Sequence, residues 1–267
     1  MDVLHYVLPN SLAEAYQLLH EDLNNHVIGG GVWMKNTLKS INTLIELKHL
    51  IGEKIEVTHE VIKIDANCPL RQLEIHPVIK DLYDGIISQS IEKIMGVSIR
   101  NVATIGGTVV GKYAFSDLLA ALLAVDVTLV FFKQGRMELS KYLESHEKNR
   151  DILISIEIPI KKGTGYFHKV STTHLDFAIL NLAITQIDHQ FRIVIGARPG
   201  IASCANQAME LINHAKEIDD TLINEVAECC VKELSFGSNF RGSEEYRMTL
   251  AKVYVARGLW EVIHHAS

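Results

Sequence analysis

The chain reads as an α+β protein of two domains. Three features of the sequence carry that reading. The first fifty residues alternate strand, helix and strand patterns around a glycine-rich turn. The middle holds a helical period that leads into a second glycine pair and a long apolar helix. Beyond Pro159, strand patterns come as one run and helical patterns as the next, the arrangement of an α+β domain. A length of 267 residues suffices for two ordinary cores. The break is expected at Lys161-Lys162-Gly163-Thr164-Gly165, read as a surface linker. The expected domains are 1–160, composed of a small α/β unit 1–53 and a larger unit 54–160, and a smaller α+β domain 161–267 made of a β-meander plus helices.

In order, Val3 to Val7 alternates weakly and predicts a short strand. Ser11-Leu12-Ala13-Glu14 has the form of a capping box, opening a helix through Leu19 with Leu12, Ala15, Leu18 and Leu19 on one side. Val27 and Ile28 predict a short strand that ends in the turn Gly29-Gly30-Gly31. Thr43 to Leu47 predicts another strand, and Lys54 to Ile64 a hairpin. From Pro77 to Met95, apolar residues recur at three and four, which predicts one helix closed by Gly96. A helix from about Ser116 to Val125 follows, then a strand at Val127–Phe132 with a hairpin turn at Gln134-Gly135. Ile152 to Ile158 reads as a strand stopped by Pro159. Tyr166–Val170, Phe177–Ile187 and Phe191–Ile195 predict the meander, the last two joined at Asp188-His189-Gln190. Helices are expected at Ala205–His214, Thr221–Leu234 and Arg247–His264.

Composition narrows the function. Hydrophobic residues make up 48% and charged residues 22%, a globular balance. The net charge of −6 comes without runs of like charge, so there is no basic footprint for nucleic acid or anionic lipid. The start MDVLHYVLPN lacks the basic and apolar segments of a signal peptide. The most apolar stretch, Leu118 to Phe132, is interrupted by Asp126 and too short to span a bilayer. A cytoplasmic protein is expected. Cys68, Cys204, Cys229 and Cys230 show no C-x-x-C spacing and are expected as free thiols, with no metal site. Thirteen histidines are scattered; His26, His168 and His174 lie near the motifs and are expected to be solvated or packed.

The chemistry concentrates in Ile99–Asp126. Backbone amides exposed by small residues ahead of a helix hold phosphates without cationic side chains. Gly106 to Lys112 fits G-x-x-x-x-G-K, but Tyr113 stands where a P-loop needs Ser or Thr for Mg²⁺. Gly29-Gly30-Gly31 lacks Rossmann spacing, because Met34 stands where the last glycine belongs. The third reading joins the two glycine turns on the pyrophosphate of a dinucleotide. Asp117 would then accept hydrogen bonds from hydroxyls or an amine of that ligand. As an acid in a first helical turn, it also has a purely structural explanation.

Ile99–Val125 resembles the second FAD motif of the flavoprotein (medium) subunit of molybdenum hydroxylases, the xanthine dehydrogenase and carbon monoxide dehydrogenase family. The shared pattern is Ile99-Arg100-Asn101 leading into Ala103-Thr104-Ile105-Gly106-Gly107, then Ser116-Asp117-Leu118 and an Ala/Leu helix. Val27-Ile28-Gly29-Gly30-Gly31 is similar to the first motif. Ser11–Leu19, Asp151–Pro159, Gly165–Val170, Leu175–Ala178 and Gly196–Glu210 match in order, so the likeness covers nearly the whole chain. It implies a two-part FAD-binding domain of the vanillyl-alcohol-oxidase/PCMH type, followed by the α+β C-terminal domain.

The resemblance also implies residues. Val27, Ile28, Gly29, Gly30, Gly31, Val32 and Trp33 would wrap the pyrophosphate. Thr104, Ile105, Gly106, Gly107 and Thr108 would form the second turn. Asp117 would bind the polar chain or adenosine end, and Leu153 and Lys169 would approach the flavin. Lys169 would donate to a flavin carbonyl, or else be an exposed strand lysine. Tyr166 or Phe167 would stand near the ring or belong to the core, and Ile94 and Met95 would pack on a helix face. The chain departs from the family pattern at Val32-Trp33, at Thr108 and at Tyr113-Ala114-Phe115. The implied activity is electron transfer from [2Fe–2S] clusters of a small partner subunit to FAD and on to NAD⁺. A molybdopterin-binding large subunit would oxidise xanthine or another purine, with nicotinate, aldehydes and carbon monoxide as alternative substrates. The alternatives are a flavin-free scaffold subunit of the same assembly and a P-loop-like nucleotide-binding protein.

Overall fold

The computed structural model describes residues 2–34, 40–145 and 150–265. The chain begins β1 (Asp2–Val7), α1 (Leu12–Glu21), β2 (His26–Ile28), β3 (Ser40–Glu46), β4 (Ile55–Val57) and β5 (Val61–Asp65). It continues through α2 (Leu70–Ile75), α3 (Pro77–Asp81), a 3₁₀ turn (Leu82–Gly85), α4 (Ile86–Glu92), α5 (Val97–Arg100), α6 (Ile105–Val110) and α7 (Asp117–Ala124). Next come β6 (Thr128–Phe131), β7 (Gly135–Glu138), α8 (Leu139–Glu144), β8 (Leu153–Pro159), β9 (Gly163–Val170), β10 (Leu180–Ile187), β11 (Gln190–Gly196) and β12 (Ser203–Cys204). The last elements are α9 (Asn206–Asn213), α10 (Asp220–Glu233) and α11 (Glu244–His265). These gather into two compact units, the first comprising 1–72, 97–111 and 127–158, the second 73–96, 112–126 and 159–267.

In the first unit, β1 and β2 flank β3 in a parallel sheet. Ser11 caps α1 by accepting the Glu14 amide at 3.2 Å, and the Glu14 carboxylate accepts the Asn10 amide at 2.7 Å. The capping box is therefore shifted by one residue on its return bond. Ala15 and Leu19 of α1 are buried, as are Ile41, Leu44 and Ile45 of β3. Arg150 fixes the connection from α1 to β2: its guanidinium donates to the carbonyls of Leu19, Asp22, Leu23 and Asn25. A second sheet runs β4-β5-β8-β6-β7, with Ile62, Ile64, Leu129, Phe131, Ile156 and Ile158 buried by alternation.

The second unit is built on the antiparallel sheet β12-β11-β10-β9. Leu180, Leu182 and Ile184 of β10 join the apolar core shared with α9, α10 and α11. The residues between them, Asn181, Ala183 and Thr185, lie on the opposite face, against α7. Thr185 Oγ1 donates to the Ala124 carbonyl at 2.7 Å, and Asn181 Nδ2 to the Ser116 carbonyl at 3.3 Å. Four strand steps span about 13 Å and the eight steps from Ser116 to Ala124 about 12 Å, so one strand face grips both ends of α7.

Four expectations need correction. The helix expected over Pro77–Met95 is broken, because Tyr83 (φ 51), Asp84 (φ 54) and Gly85 (φ 73) are left-handed. Tertiary bonds hold that turn: the Tyr83 hydroxyl donates to the Pro159 carbonyl at 2.7 Å, and the Asp84 carboxylate accepts the Gly165 amide at 3.0 Å. The helical period survives the break because Ile79, Ile86, Ile87 and Ile91 are all buried. Ile94 and Met95 consequently fall in the turn after α4 rather than on a helix face, Met95 at φ 41. Gly163–Gly165 is not a linker but the start of β9, paired with Ile187–Thr185. The pair Gly106-Gly107 is not a turn but the first turn of α6. The short helices α2, α5 and α8 and the two-residue β12 had no sequence signal of their own.

We expect Arg150→Ala to lower stability by about 2 kcal/mol, since charged hydrogen bonds to four carbonyls are lost. A shift of the urea midpoint at unchanged slope checks it.

Candidate functional site

In the first unit the two glycine motifs touch. A Cβ at Gly29 would lie 2.5 Å from Thr104 Oγ1, and one at Gly30 would overlap the Val102 carbonyl. No side chain fits between the segments, so backbone lies directly on backbone. The second segment is itself pinned. Leu70 donates to the Ala103 carbonyl at 2.8 Å, Ile105 to Cys68 at 3.0 Å and Gly106 to Ala66 at 2.8 Å. Thr104 caps α6, its hydroxyl accepting the Gly107 amide at 3.1 Å.

This changes the physical account of the clamp. The amides of Ile105, Gly106, Gly107 and Thr108 all have protein acceptors, so the second motif is not a cradle of open donors. Among the described residues, the amides of Gly30, Gly31 and Val32 donate to no protein acceptor. Gly106 is explained by packing, since a Cβ there would stand 2.6 Å from the Ala66 carbonyl oxygen. Gly107 is exposed, and its Cβ would meet only Thr104 Oγ1, at 3.1 Å. The arrangement is one amide-bearing segment, Gly30–Val32, seated on a glycine-headed helix with one bare face. Thr108 turns its hydroxyl inward to the Thr104 carbonyl at 2.9 Å. Val27, Ile28, Val32 and Trp33 are half-buried. Leu153 is buried in β8, opposite Phe131.

In the second unit, Asp117 opens α7 behind its cap Ser116, whose hydroxyl accepts the Leu119 amide. Lys169 is buried rather than an exposed strand lysine. Its Nζ lies 2.8 Å from Asp117 Oδ2, and the two side chains are 3% and 4% exposed. The same ammonium donates to the Lys93 carbonyl at 2.8 Å. Asn181 Nδ2 donates to Asp117 Oδ1 at 2.7 Å. Both carboxylate oxygens thus have partners within the unit. Burial pushes the Asp117 carboxyl above its usual range, opposed by the Lys169 ammonium and the Asn181 amide. Asn181 stands directly across the sheet from Lys169 on one side and Gly196 on the other. Sequence reasoning passed over Asn181, although an Asn among apolar neighbours on the small-residue face of β10 marks it.

The other candidates are dispersed. Tyr166 packs against α11, where a Cβ on Gly258 would strike its ring at 2.5 Å. Phe167 is buried, and His168 stacks on Tyr254 at 3.9 Å. Lys112 follows α6 at φ 45. Gly106 to Val110 is helix, not the loop ahead of a helix that a P-loop requires. No disulfide joins Cys68, Cys204, Cys229 and Cys230, and the described residues contain no group of three His, Cys, Asp or Glu placed to hold a metal.

Known proteins share this architecture. Residues 2–161 match the family model of the FAD binding domain in molybdopterin dehydrogenase, and residues 165–262 that of the CO dehydrogenase flavoprotein C-terminal domain. The glyceraldehyde dehydrogenase medium chain of Sulfolobus acidocaldarius is 24% identical, over 96% of this chain and 97% of its own. The nicotinate dehydrogenase FAD-subunit of Eubacterium barkeri is 28% identical, over 59% of this chain and 57% of its own. A chain of the carbon monoxide dehydrogenase from Hydrogenophaga pseudoflava superposes with a TM-score of 0.87 at 20% identity, covering 98% of each chain.

Breaking the buried pair from one side leaves an uncompensated group. We expect Lys169→Met and Asp117→Asn each to cost about 3–5 kcal/mol, and the double variant to recover most of that loss. Urea unfolding of the four chains checks the cycle.

Proposed function

Because the chain belongs to the family of FAD-binding domains in molybdopterin dehydrogenases, we propose that it passes electrons from [2Fe–2S] clusters of a partner to its own FAD and on to NAD⁺. The observation that carries the reading is the bare backbone contact of Gly29–Gly30 on Val102–Thr104, which holds unengaged amides at Gly30–Val32. Those amides suit phosphate oxygens, and the uncovered side of Gly107 admits a close approach.

We assign Val27–Trp33 and Thr104–Thr108 to the pyrophosphate and its chain, with Asp117, Leu153 and Lys169 as further contacts. When bound, FAD supplies the exchange between single electrons and a hydride, so the chain needs no general acid or base of its own. Its part is to bind the phosphates through neutral backbone and to hold the Lys169 ammonium at a fixed atom, Asp117 Oδ2. The partners are a molybdopterin-binding large subunit and a small [2Fe–2S] subunit, and the substrate of the large subunit is read as xanthine or another purine. We divide the chain near residue 160, a reading supported by the family matches over residues 2–161 and 165–262. No described helix is long and apolar enough to cross a membrane, and we place the assembly in the cytoplasm.

A flavin-free scaffold is the second reading, favoured by Val32, Trp33 and Thr108 in place of the family's residues. Colour separates the two. The purified chain mixed with FAD should retain a flavin absorption spectrum through gel filtration and quench flavin fluorescence; a colourless chain that does neither supports the scaffold. Gly107→Val should abolish retention while circular dichroism stays native, because the position is exposed and the added side chain would crowd only the Thr104 hydroxyl within the protein. Normal flavin content in that variant would refute the assignment of the second motif.

A further inference from the structure

Asn181 is completely buried in the middle strand of the second unit's sheet, and only half of its amide has a partner. Nδ2 donates to Asp117 Oδ1 at 2.7 Å and to the Ser116 carbonyl at 3.3 Å. Oδ1 accepts nothing, although it is shielded from solvent. The amide cannot be turned over, since that would set Oδ1 against a carboxylate oxygen, acceptor on acceptor. An acceptor buried without a donor is a standing cost, set against the two bonds that Nδ2 makes to Asp117 and Ser116. Those bonds tie the residue to the Asp117 carboxylate and the start of α7.

The sheet makes room for this residue. Asn181 lies between Lys169 on β9 and Gly196 on β11, and a Cβ on Gly196 would overlap Asn181 Oδ1. Lys169, Asn181 and Gly196 form one row across three strands, with Asp117 facing it from the first turn of α7. We propose that Asn181 is a positioning residue: its amide fixes the rotamer of Asp117 and, through the shared carboxylate, the place of the Lys169 ammonium. The role rests on the cofactor reading above, in which Asp117 and Lys169 contact FAD.

The surroundings of Asp117 are electrostatically simple. β9 contributes Lys169, β10 the neutral Asn181, and the turn after α4 the Lys93 carbonyl, which accepts from Lys169. α4 buries Ser88 and Ser90 beside apolar side chains, and β11 sends Arg192 to Asp126 beyond the other end of α7. Burial raises the Asp117 carboxyl, while Lys169 and Asn181 hold it down. Removing the Asn181 donor therefore moves protonation of Asp117 to higher pH. With the ionised form needed to hold Lys169, FAD affinity is full above the carboxyl's pKa and lost as pH falls through it.

The test is fluorescence titration of the full chain with FAD between pH 4.5 and 9 (about the range over which raised carboxyls titrate), with thermal melts in parallel. Asn181→Leu should shift the acid limb of affinity upward by about one pH unit. Gly196→Ala, which leaves Asn181 in place and displaces its amide, should shift it in the same direction. Asn181→Ser, which keeps a hydroxyl donor, should recover part of the shift. Lower melting temperatures with limbs that overlay the wild type would overturn the role of Asn181 and leave the cofactor reading intact. If Asn181→Leu does not fold, Gly196→Ala decides. A wild-type chain that takes up no FAD at any pH would overturn the cofactor reading itself, and this role with it.

Discussion

The contact on which the first unit's architecture depends is the close approach of Gly29 and Gly30 to the Val102 carbonyl and the Thr104 hydroxyl. Residues 29–30 lie on residues 102–104 so closely that even a methyl group at Gly30 would overlap a carbonyl. Everything around it serves that approach. Arg150 anchors the stretch that leads into β2, and the carbonyls of Ala66 and Cys68 hold the start of α6 from beneath. The consequence is chemical as well as geometric. Ile105–Thr108 satisfy their own amides, whereas among the described residues those of Gly30–Val32 stay unengaged on the segment that lies against the second motif.

The second unit solves a different problem. α7 is buried along its whole length, which suits Leu118 to Ala124 and is unfavourable for the carboxylate that opens it. A lone ionised acid there would be strongly disfavoured by desolvation. Lys169 and Asn181 compensate from one sheet face, and Thr185 satisfies a carbonyl at the far end of the helix. β10 thus carries two programmes in alternate residues. Leu180, Leu182 and Ile184 build a core against the long helices, while Asn181, Ala183 and Thr185 position α7. The pair is costly to desolvate, and an apolar replacement of both members would in general be no less stable.

Much of this was legible in the sequence, and what was missed has physical causes. The caps at Ser11 and Ser116, the parallel unit around β3 and the meander follow from local chemistry: hydroxyls ahead of apolar runs, alternation, and glycine or aspartate turns. The break at Tyr83–Gly85 was illegible because a tyrosine in left-handed backbone has no local signal; bonds to Pro159 and Gly165, far along the chain, hold it there. Gly163–Gly165 looked like a linker because it is rich in glycine, yet a Cβ at Gly165 would stand 2.5 Å from the Tyr83 carbonyl oxygen, so the glycine is there for packing. The candidate residues stand out by motif, but their partners do not. Nothing near Asp117 in sequence indicates that its carboxylate meets a lysine 52 residues away.

This division between backbone and side chain bears on two of the three departures from the family pattern, those at Val32-Trp33 and at Thr108. Val32, Trp33 and Thr108 are changes of side chain within segments whose donors are main-chain amides. Thr108 directs its hydroxyl back to Thr104, and Val32 keeps its amide open whatever its side chain. Substitution at these positions alters what surrounds a phosphate more than what grips it. The glycines tolerate no such latitude, because Gly29 and Gly30 are fixed by the carbonyl and hydroxyl they press against. Gly107 is more open: a Cβ there would meet only the Thr104 hydroxyl, at 3.1 Å, a tight contact with the cap of α6. Its exposed outer side, together with the unengaged amides of Gly30–Val32, is what we read as room for a ligand.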